Sequence, residues 1–301
     1  MKTTLKFIII ALALILLASC GKNNRNFDAS GNFEATEIIV SSQANGQIMA
    51  FDINEGQTLV ANKPVGYVDT TQLHLRKRQL QANLKAVDSR FYDVSNQIAA
   101  TNQQIAKQKT ELRRFESLVQ SNAANQKQVD DINAQIIILQ KQLAAQTESL
   151  ENGNRSVSGE SAALVAQIKQ VDDLIDKSFI SSPATGTVLT KYAELGEIAA
   201  QGKALFKIAD LNNLFLRAYI TSDQIAQMKL GQQVRVFVDS GTRDMNEYPG
   251  TITWISDKAE FTPKTIQTRN ERANQVYAVK VAVKNDGFLK IGMYGEMKIN
   301  P

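Results

Sequence analysis

The stretch SQANGQIMAFDINEGQTLVANKPVGYV, residues 42–68, recurs 140 residues later as SPATGTVLTKYAELGEIAAQGKALFKI, residues 182–208. The matched pairs are Gly46 with Gly186, Ile48 with Val188, Gly56 with Gly196, Val65 with Leu205, and Val68 with Ile208. Short apolar runs separated by glycines at turns predict short β-strands. Neither half of about thirty residues can bury an apolar face alone. The repeat therefore predicts one small β-sandwich that both halves build together.

Two long heptad runs lie between the repeated halves. From Leu80 to Val119 the apolar residues step by four and three, and only Thr101 and Gln108 interrupt the seam. A second run extends from Val129 to Ile175, and its step pattern shifts near Val157. Apolar residues repeated with this spacing over several heptads are typical of a coiled coil. We expect a stutter or a local loosening of the coil near Val157, where glycines stand in the sequence.

The short polar stretch VQSNAANQKQ, residues 119–128, separates the two runs. The runs are nearly equal in length, and no proline occurs between Pro64 and Pro183. Equal arms on either side of a polar turn favour an antiparallel helical hairpin with its tip near residues 121–125. At 1.5 Å per residue each arm would reach about 75 Å. A tip that far from any core predicts a contact with another molecule.

The N-terminus has the pattern of an exported protein. Lys2 and Lys6 precede twelve uninterrupted apolar residues, 7–18. As a helix these would span about 18 Å, short of the roughly 30 Å hydrocarbon core of a bilayer, so the pattern predicts a signal peptide. The apolar stretch leads into Leu-Ala-Ser-Cys20, residues 17–20, which resembles the bacterial lipobox. Cys20 is the predicted lipidation site, and the alternative is an ordinary buried cysteine. We expect a lipid-anchored periplasmic protein, with the inner membrane favoured.

After the second half the sequence becomes mostly β. Residues 214–220, 232–239, 248–255 and 275–283 read as strands with alternating or continuous apolar positions. The predicted fold class is mixed α and β: a coiled-coil hairpin inserted in a β-sandwich and followed by a further β domain. The predicted organisation is a signal peptide at 1–19, a tether at 20–37, the first half of the sandwich at 38–69, the hairpin at 70–178, the second half at 179–211, and the β domain at 212–301.

A split repeat with an inserted coiled coil resembles the lipoyl-type domain of HlyD/AcrA-type membrane fusion proteins, the periplasmic adaptors of tripartite efflux and secretion systems. The resemblance runs from about Ile38 to Ile299 and implies a lipoyl-like sandwich followed by a β-barrel. It also implies an inner-membrane transporter and a TolC-like outer-membrane channel as partners, with copies of the adaptor in rings, commonly of six. Carrier enzymes with this domain place a modified lysine where this chain has its coiled coil.

The transporter class implied by the resemblance is of the ABC type, with a resistance-nodulation-division pump as the alternative. The segment FTPKTIQTRNERANQ, residues 261–275, is similar to adaptors that are often paired with ABC exporters. Adaptors of resistance-nodulation-division pumps usually continue into a fourth domain, whereas this sequence ends at Pro301, just after the last predicted barrel strand.

In adaptors that dock on TolC-like channels, the hairpin tip carries an Arg-x3-Leu-x6-Ser pattern. This chain has Arg114 and Leu118, with Asn125 at the position of the serine. The resemblance implies that these three residues contact the channel, because arginine donates forked hydrogen bonds and an exposed leucine supplies an apolar contact. The alternative is that Arg114 is a solvated coil charge and Leu118 a seam residue.

The remaining residues give no indication of an enzyme. His74 is the single histidine and Cys20 the single cysteine, which excludes a histidine-based triad, a disulfide framework and a multi-histidine metal site. We therefore expect no catalytic residues, no metal and no cofactor. The net charge of +4 is too weak to favour nucleic acid. Two other functions remain open: a structural coiled-coil lipoprotein of the envelope, and an acyl-carrier subunit with a modified lysine.

Overall fold

The computed structural model describes residues 27–226, 228–241, 245–260 and 276–299. The predicted signal peptide, Cys20 and the segment 261–275 lie outside the described residues. The chain combines a six-stranded closed barrel, a sandwich of two four-stranded sheets and a long helical hairpin, which confirms the predicted mixed fold. The strands are β1 (Ala29–Glu34), β2 (Glu37–Ser41), β3 (Gly46–Phe51), β4 (Thr58–Leu59), β5 (Pro64–Val68), β6 (Phe179–Ser181), β7 (Gly186–Lys191), β8 (Ile198–Ala199), β9 (Ala204–Ala209), β10 (Asn213–Thr221), β11 (Gln233–Asp239), β12 (Met245–Ile255), β13 (Val276–Lys284) and β14 (Tyr294–Ile299). The helices are α1 (Thr71–Asp88), α2 (Val94–Gln120), α3 (Gln126–Asp176) and the single turn α4 (Ser222–Ile225).

The two repeated halves exchange strands within the sandwich. One sheet has the order β2-β9-β7-β4 and the other the order β6-β5-β3-β8, so each sheet takes strands from both halves. Matched residues of the repeat are equally buried: Ile48 and Val188 are each 1% exposed, as are Val68 and Ile208. The expectation that both halves build one core is confirmed.

Backbone hydrogen bonds between the halves are reciprocal. The N–H of Gly56 donates to the carbonyl of Val188 (2.8 Å), and that of Gly196 donates to the carbonyl of Ile48 (2.9 Å). Residues at the same offset therefore make the same bond in both directions. The sandwich has an internal pseudo-twofold symmetry, and neither half can keep its hydrogen bonds without the other.

The barrel contains a strand that the sequence analysis assigned to the tether. The order is β1-β10-β13-β12-β11-β14, and β1 pairs with both β10 and β14, which closes the barrel. Residues 20–37 are therefore not all tether, and the barrel is not confined to 212–301. The strand escaped prediction because ASGNFE has one large apolar residue, Phe33, which is 1% exposed in the barrel core. Phe27, just before β1, packs on Phe237 with ring centroids 5.4 Å apart.

The hairpin leaves the sandwich between β5 and β6. Asp69 caps its start: one carboxylate oxygen accepts hydrogen bonds from the Thr71 hydroxyl (2.7 Å) and the Thr71 N–H (2.9 Å). These two bonds lower the pKa of Asp69. The second arm, α3, is one unbroken helix of 51 residues, about 76 Å long.

The interruption of the coil lies in the first arm, between α1 and α2, at residues 89–93. We expected continuity there and a loosening near Val157, but α3 is helical through that region, and Val157 is 9% exposed. Phe91, predicted as a seam residue, is 46% exposed. The glycine-bearing segment of α3 accommodates the break in the opposite arm: a Cβ added to Gly153 would lie 3.1 Å from the ring of Tyr92.

One asparagine of α3 bonds both backbone groups of a residue in the break. The Tyr92 N–H donates to Asn154 Oδ1 (2.8 Å), and Asn154 Nδ2 donates to the Tyr92 carbonyl (2.9 Å). Arg90, also within the break, forms an ion pair with Glu160 of α3. The side chain of Asn154 thus replaces the intrahelical bonds that Tyr92 lacks.

Gly31→Ala tests whether β1 is a barrel strand. A Cβ at Gly31 would lie 1.8 Å from the carbonyl oxygen of Arg217 on β10, so closure must fail or shift. We expect a loss of about 3 kcal/mol or more in the free energy of unfolding of the barrel, the upper range for overpacking. Urea unfolding followed by fluorescence of Trp254, the sole tryptophan, measures it. Asn32→Ala, an exposed neighbour, is the control, and equal stability of both variants would restore the tether assignment.

Asn154→Ala tests the bridge across the coil. It leaves both backbone groups of Tyr92 to water, and we expect a loss of about 1 kcal/mol, the net value of ordinary hydrogen bonds. Because most helical residues lie in the hairpin, thermal unfolding followed by circular dichroism at the helical minimum reports this arm. Asn152→Ala changes an exposed asparagine two residues away and should leave the midpoint unchanged. An Asn154→Ala midpoint equal to that of the control would contradict a stabilising bridge.

Candidate docking site at the hairpin tip

The first arm ends in a tight C-terminal cap. After α2, Asn122 takes a left-handed conformation with φ of 55°. Its N–H donates to the carbonyl of Val119 (3.0 Å), and the N–H of Ala123 donates to the carbonyl of Leu118 (2.8 Å). These two bonds form a Schellman motif with asparagine in place of the usual glycine. The helix therefore stops sharply, and the chain reverses within residues 121–125.

The second arm begins with Asn125 as its N-cap. Asn125 is extended (φ −95°, ψ 139°), and its Oδ1 accepts a hydrogen bond from the N–H of Lys127 at 3.1 Å. Asparagine and serine are among the preferred N-cap residues because each offers a side-chain oxygen to the free N–H groups of the first turn. Asn125 can therefore fill the capping role of a serine at this position, and its Nδ2 group remains exposed to solvent.

The other two predicted contact residues lie on α2. Arg114 and Leu118 are four residues apart and share a helix face. The Arg114 side chain is 72% exposed, and its Nη1 lies 3.8 Å from Glu111, a weak surface pair. Leu118 is half-buried, and its carbonyl accepts the turn's hydrogen bond. The structure thus places Leu118 in the last helical turn of α2 and Asn125 at the start of α3, on either side of the chain reversal. Arg114 lies one helical turn before Leu118.

The sequence analysis overlooked an apolar pair near the tip. Ile137 and Ile138 on α3 are 56% and 58% exposed, although Ile136 and Leu139 on either side are buried in the seam. The heptad count placed Ile136 and Leu139 in the seam and drew no consequence from the two isoleucines between them. A count of residues per turn would have found the pair, because a seam accommodates only two of every seven residues.

The described residues lack two further kinds of feature. They contain no cluster of three or more His, Cys, Asp or Glu side chains that could hold a metal ion. Within the same residues, no helix is long and apolar enough to cross a membrane. The tip itself offers hydrogen-bonding groups, charge and apolar contact area on a turn that is capped on both sides.

The chain matches no protein-family model. It is similar in sequence to the UPF0194 membrane protein of Yersinia pestis, with 24% identity over 317 residues that cover 96% of each chain.

Two solved structures share the fold. MacA from Actinobacillus actinomycetemcomitans superposes with a TM-score of 0.53 at 18% identity, over 90% of this chain and 78% of MacA. The membrane fusion protein Spr0693 from Streptococcus pneumoniae R6 gives a TM-score of 0.54 at 17% identity, over 90% of this chain and 97% of Spr0693. The resemblance to HlyD/AcrA-type adaptors is therefore confirmed at the level of the fold.

Substitutions at Asn125 test whether its side chain caps the second arm. Asn125→Ala removes the cap, and we expect a loss of about 1 kcal/mol in hairpin stability, whereas Asn125→Ser should lie within a few tenths of the parent. Thermal unfolding followed by circular dichroism checks both. Gln128→Ala, also exposed and within the first turn, serves as the control. If Asn125→Ala matches that control, the hydrogen bond to Lys127 does not stabilise the turn.

Proposed function

We propose that the chain is a lipid-anchored periplasmic adaptor that links an inner-membrane transporter to a TolC-like outer-membrane channel for efflux or secretion. The observation that carries the proposal is the hairpin: two arms of about fifty residues end in a turn capped on both sides. A rigid turn about 75 Å from the sandwich adds nothing to the core. Its use is to reach a partner.

The tip supplies the proposed channel contact. Arg114 donates to carboxylate or carbonyl oxygens of the channel, and Leu118 gives an apolar contact beside it. Asn125 holds the turn through its Oδ1 and offers its Nδ2 group as a donor. In this scheme the tip docks as a preformed turn, so little conformational entropy is lost on binding.

The other end of the protein is proposed to lie near the membrane. Cys20 is the proposed lipidation site, and Phe27 packs on the barrel. Seven residues span at most about 25 Å, so acyl chains on Cys20 would hold the barrel close to the inner membrane. The barrel and the sandwich would then meet the transporter. The proposed transporter is of the ABC type, on the resemblance of residues 261–275, and a resistance-nodulation-division pump is the alternative.

The work of such a protein is mechanical and needs no cofactor. Copies stand side by side in a ring, commonly of six in the family, and their hairpins line a path between the two membranes. Energy comes from the transporter. The competing function, a structural envelope lipoprotein, would use the hairpin as a spacer and would have no need of a capped, arginine-bearing tip.

A photo-crosslinking amino acid at Asn125 tests the proposal. In native membranes, we expect the tip to crosslink to an outer-membrane channel protein, and affinity purification after mild crosslinking should recover an inner-membrane permease. The same amino acid at Gln103, which is exposed in the middle of α2, is the matched control and should not reach the channel. Recovery of cell-wall material without a permease or channel would favour the structural lipoprotein.

A further inference from the structure

The outer face of α3 carries a repeating stripe of exposed pairs. Each pair follows a seam residue by one and two positions, and the pairs recur every seven residues, so they lie on the side of α3 away from α2. All six side chains are exposed. From the tip downward, the acidic outer stripe, named for its aspartate pair, consists of Asp130 and Asp131, Ile137 and Ile138, and Ala144 and Ala145. The exposed Lys127 and Lys141 share this face, Lys127 above the aspartates and Lys141 between the isoleucines and the alanines.

The outer face of α2 carries a second stripe built by the same rule. Its members follow the seam positions 98, 105 and 112, are all exposed and point away from α3. From the tip downward, the basic outer stripe consists of Arg113 and Arg114, Ala106 and Lys107, and Ala99 and Ala100. The two stripes thus lie on opposite edges of the same hairpin.

The stripes lie at matching heights along the hairpin. Gln146 of α3 donates to the carbonyl of Gln97 (3.1 Å) and lies 3.3 Å from the Thr101 hydroxyl, which fixes the level of the two arms. Both arms rise by 1.5 Å per residue, so seven residues on one arm match seven on the other. The two alanine pairs are therefore level with each other. Lys107 is level with the isoleucine pair, and the arginine pair is level with the aspartate pair.

Charge divides between the arms as a whole. Residues 71–120 hold nine Lys or Arg and four Asp or Glu, whereas α3 holds four Lys or Arg and eight Asp or Glu. Two ion pairs, Lys77 with Asp172 and Arg90 with Glu160, join the described arms. Arg113 and Asp131 have no ion pair within the described chain. At the level of the aspartate and arginine pairs, the hairpin thus presents opposite charges on opposite edges.

We infer that the acidic outer stripe of one copy binds the basic outer stripe of the next. The arginines would face the aspartates, and the exposed isoleucines would pack over Ala106 and the stem of Lys107, where small side chains permit close approach. A second copy fits because the two stripes match in order and in height, and because the aspartate pair of one is level with the arginine pair of the other. The contact joins unlike faces, so each copy offers one stripe on either side.

This inference rests on the proposed function for the ring, but its test needs neither transporter nor channel. Full-length protein in detergent is analysed by sedimentation velocity at low and high salt. Arg113→Asp and Asp131→Arg should each weaken self-association about fivefold, because each places like charges together. The double variant should return to within about twofold of the parent. Lys169→Glu changes charge on α3 by the same amount, about 36 Å below Ala145, and is the control.

Results in the other direction overturn the inference. If the double reversal is no better than the single variants, or if salt leaves self-association unchanged, the stripes do not pair. Circular dichroism of each variant confirms that the exposed substitutions leave the helices folded. Loss of channel crosslinking with intact self-association would instead disprove the adaptor function alone.

A crosslinking experiment tests the polarity of the contact. Ala106→Cys and Ile138→Cys are made in separately tagged copies and treated with a short bismaleimide, with the parent treated alike to measure any reaction at Cys20. Mixed copies should give a dimer with both tags, and either variant alone should give none above the parent. Dimers of one variant with itself would mean that like faces meet, and no dimer in the mixture would mean that the stripes are apart. Both results contradict the inference.

Discussion

The exchange of strands between the two halves of the sandwich is the constraint on which the rest of the structure depends. Because each sheet contains strands from residues on both sides of the hairpin, the core forms only when the ends of a segment of more than one hundred residues come together. A flexible segment of that length would oppose closure through its loop entropy. Two helical arms of nearly equal length, packed along one seam, bring Val68 and Phe179 close without that cost. The hairpin is therefore a condition of the sandwich as well as an extension from it.

The sequence predicted what depends on periodicity and missed what depends on pairing between distant segments. The repeat and the heptads follow from intervals along the chain, so the sandwich, the arms and the turn could be foreseen. Strand β1 could not, because its place in the barrel comes from neighbours nearly two hundred residues away, and only Phe33 marks it. The break at residues 89–93 was hidden because Phe91 fits the heptad count. Its sign was in the opposite arm, where Gly153 and Asn154 replace seam-forming side chains.

At the tip, one side chain can serve structure and recognition at once. The cap uses one oxygen of Asn125, and the Schellman motif uses only backbone groups of Leu118, Val119, Asn122 and Ala123. The donors of Arg114, the side chain of Leu118 and the amide nitrogen of Asn125 stay available. A serine would meet the same capping need, because its hydroxyl can also accept a hydrogen bond from the first turn. Replacing Asn125 with serine would therefore change the hydrogen-bond donor that is offered to a partner more than it would change the stability of the turn.

The register of the stripes also bears on the shape of an assembly. Contacts between unlike faces produce a closed ring when successive copies stay level, and an open filament when each copy is displaced along the axis. Here Arg113 and Asp131 of the same chain stand at the same height, so a neighbour that pairs them need not shift up or down. The isoleucine pair sets the same level independently, since a shift of two helical turns would place Ile138 against Arg113 or Ala99 rather than over Ala106. In the proposed contact, charge and apolar packing would thus select one vertical position, and copies held level in this way meet one condition for a closed ring whose hairpin tips lie in one plane.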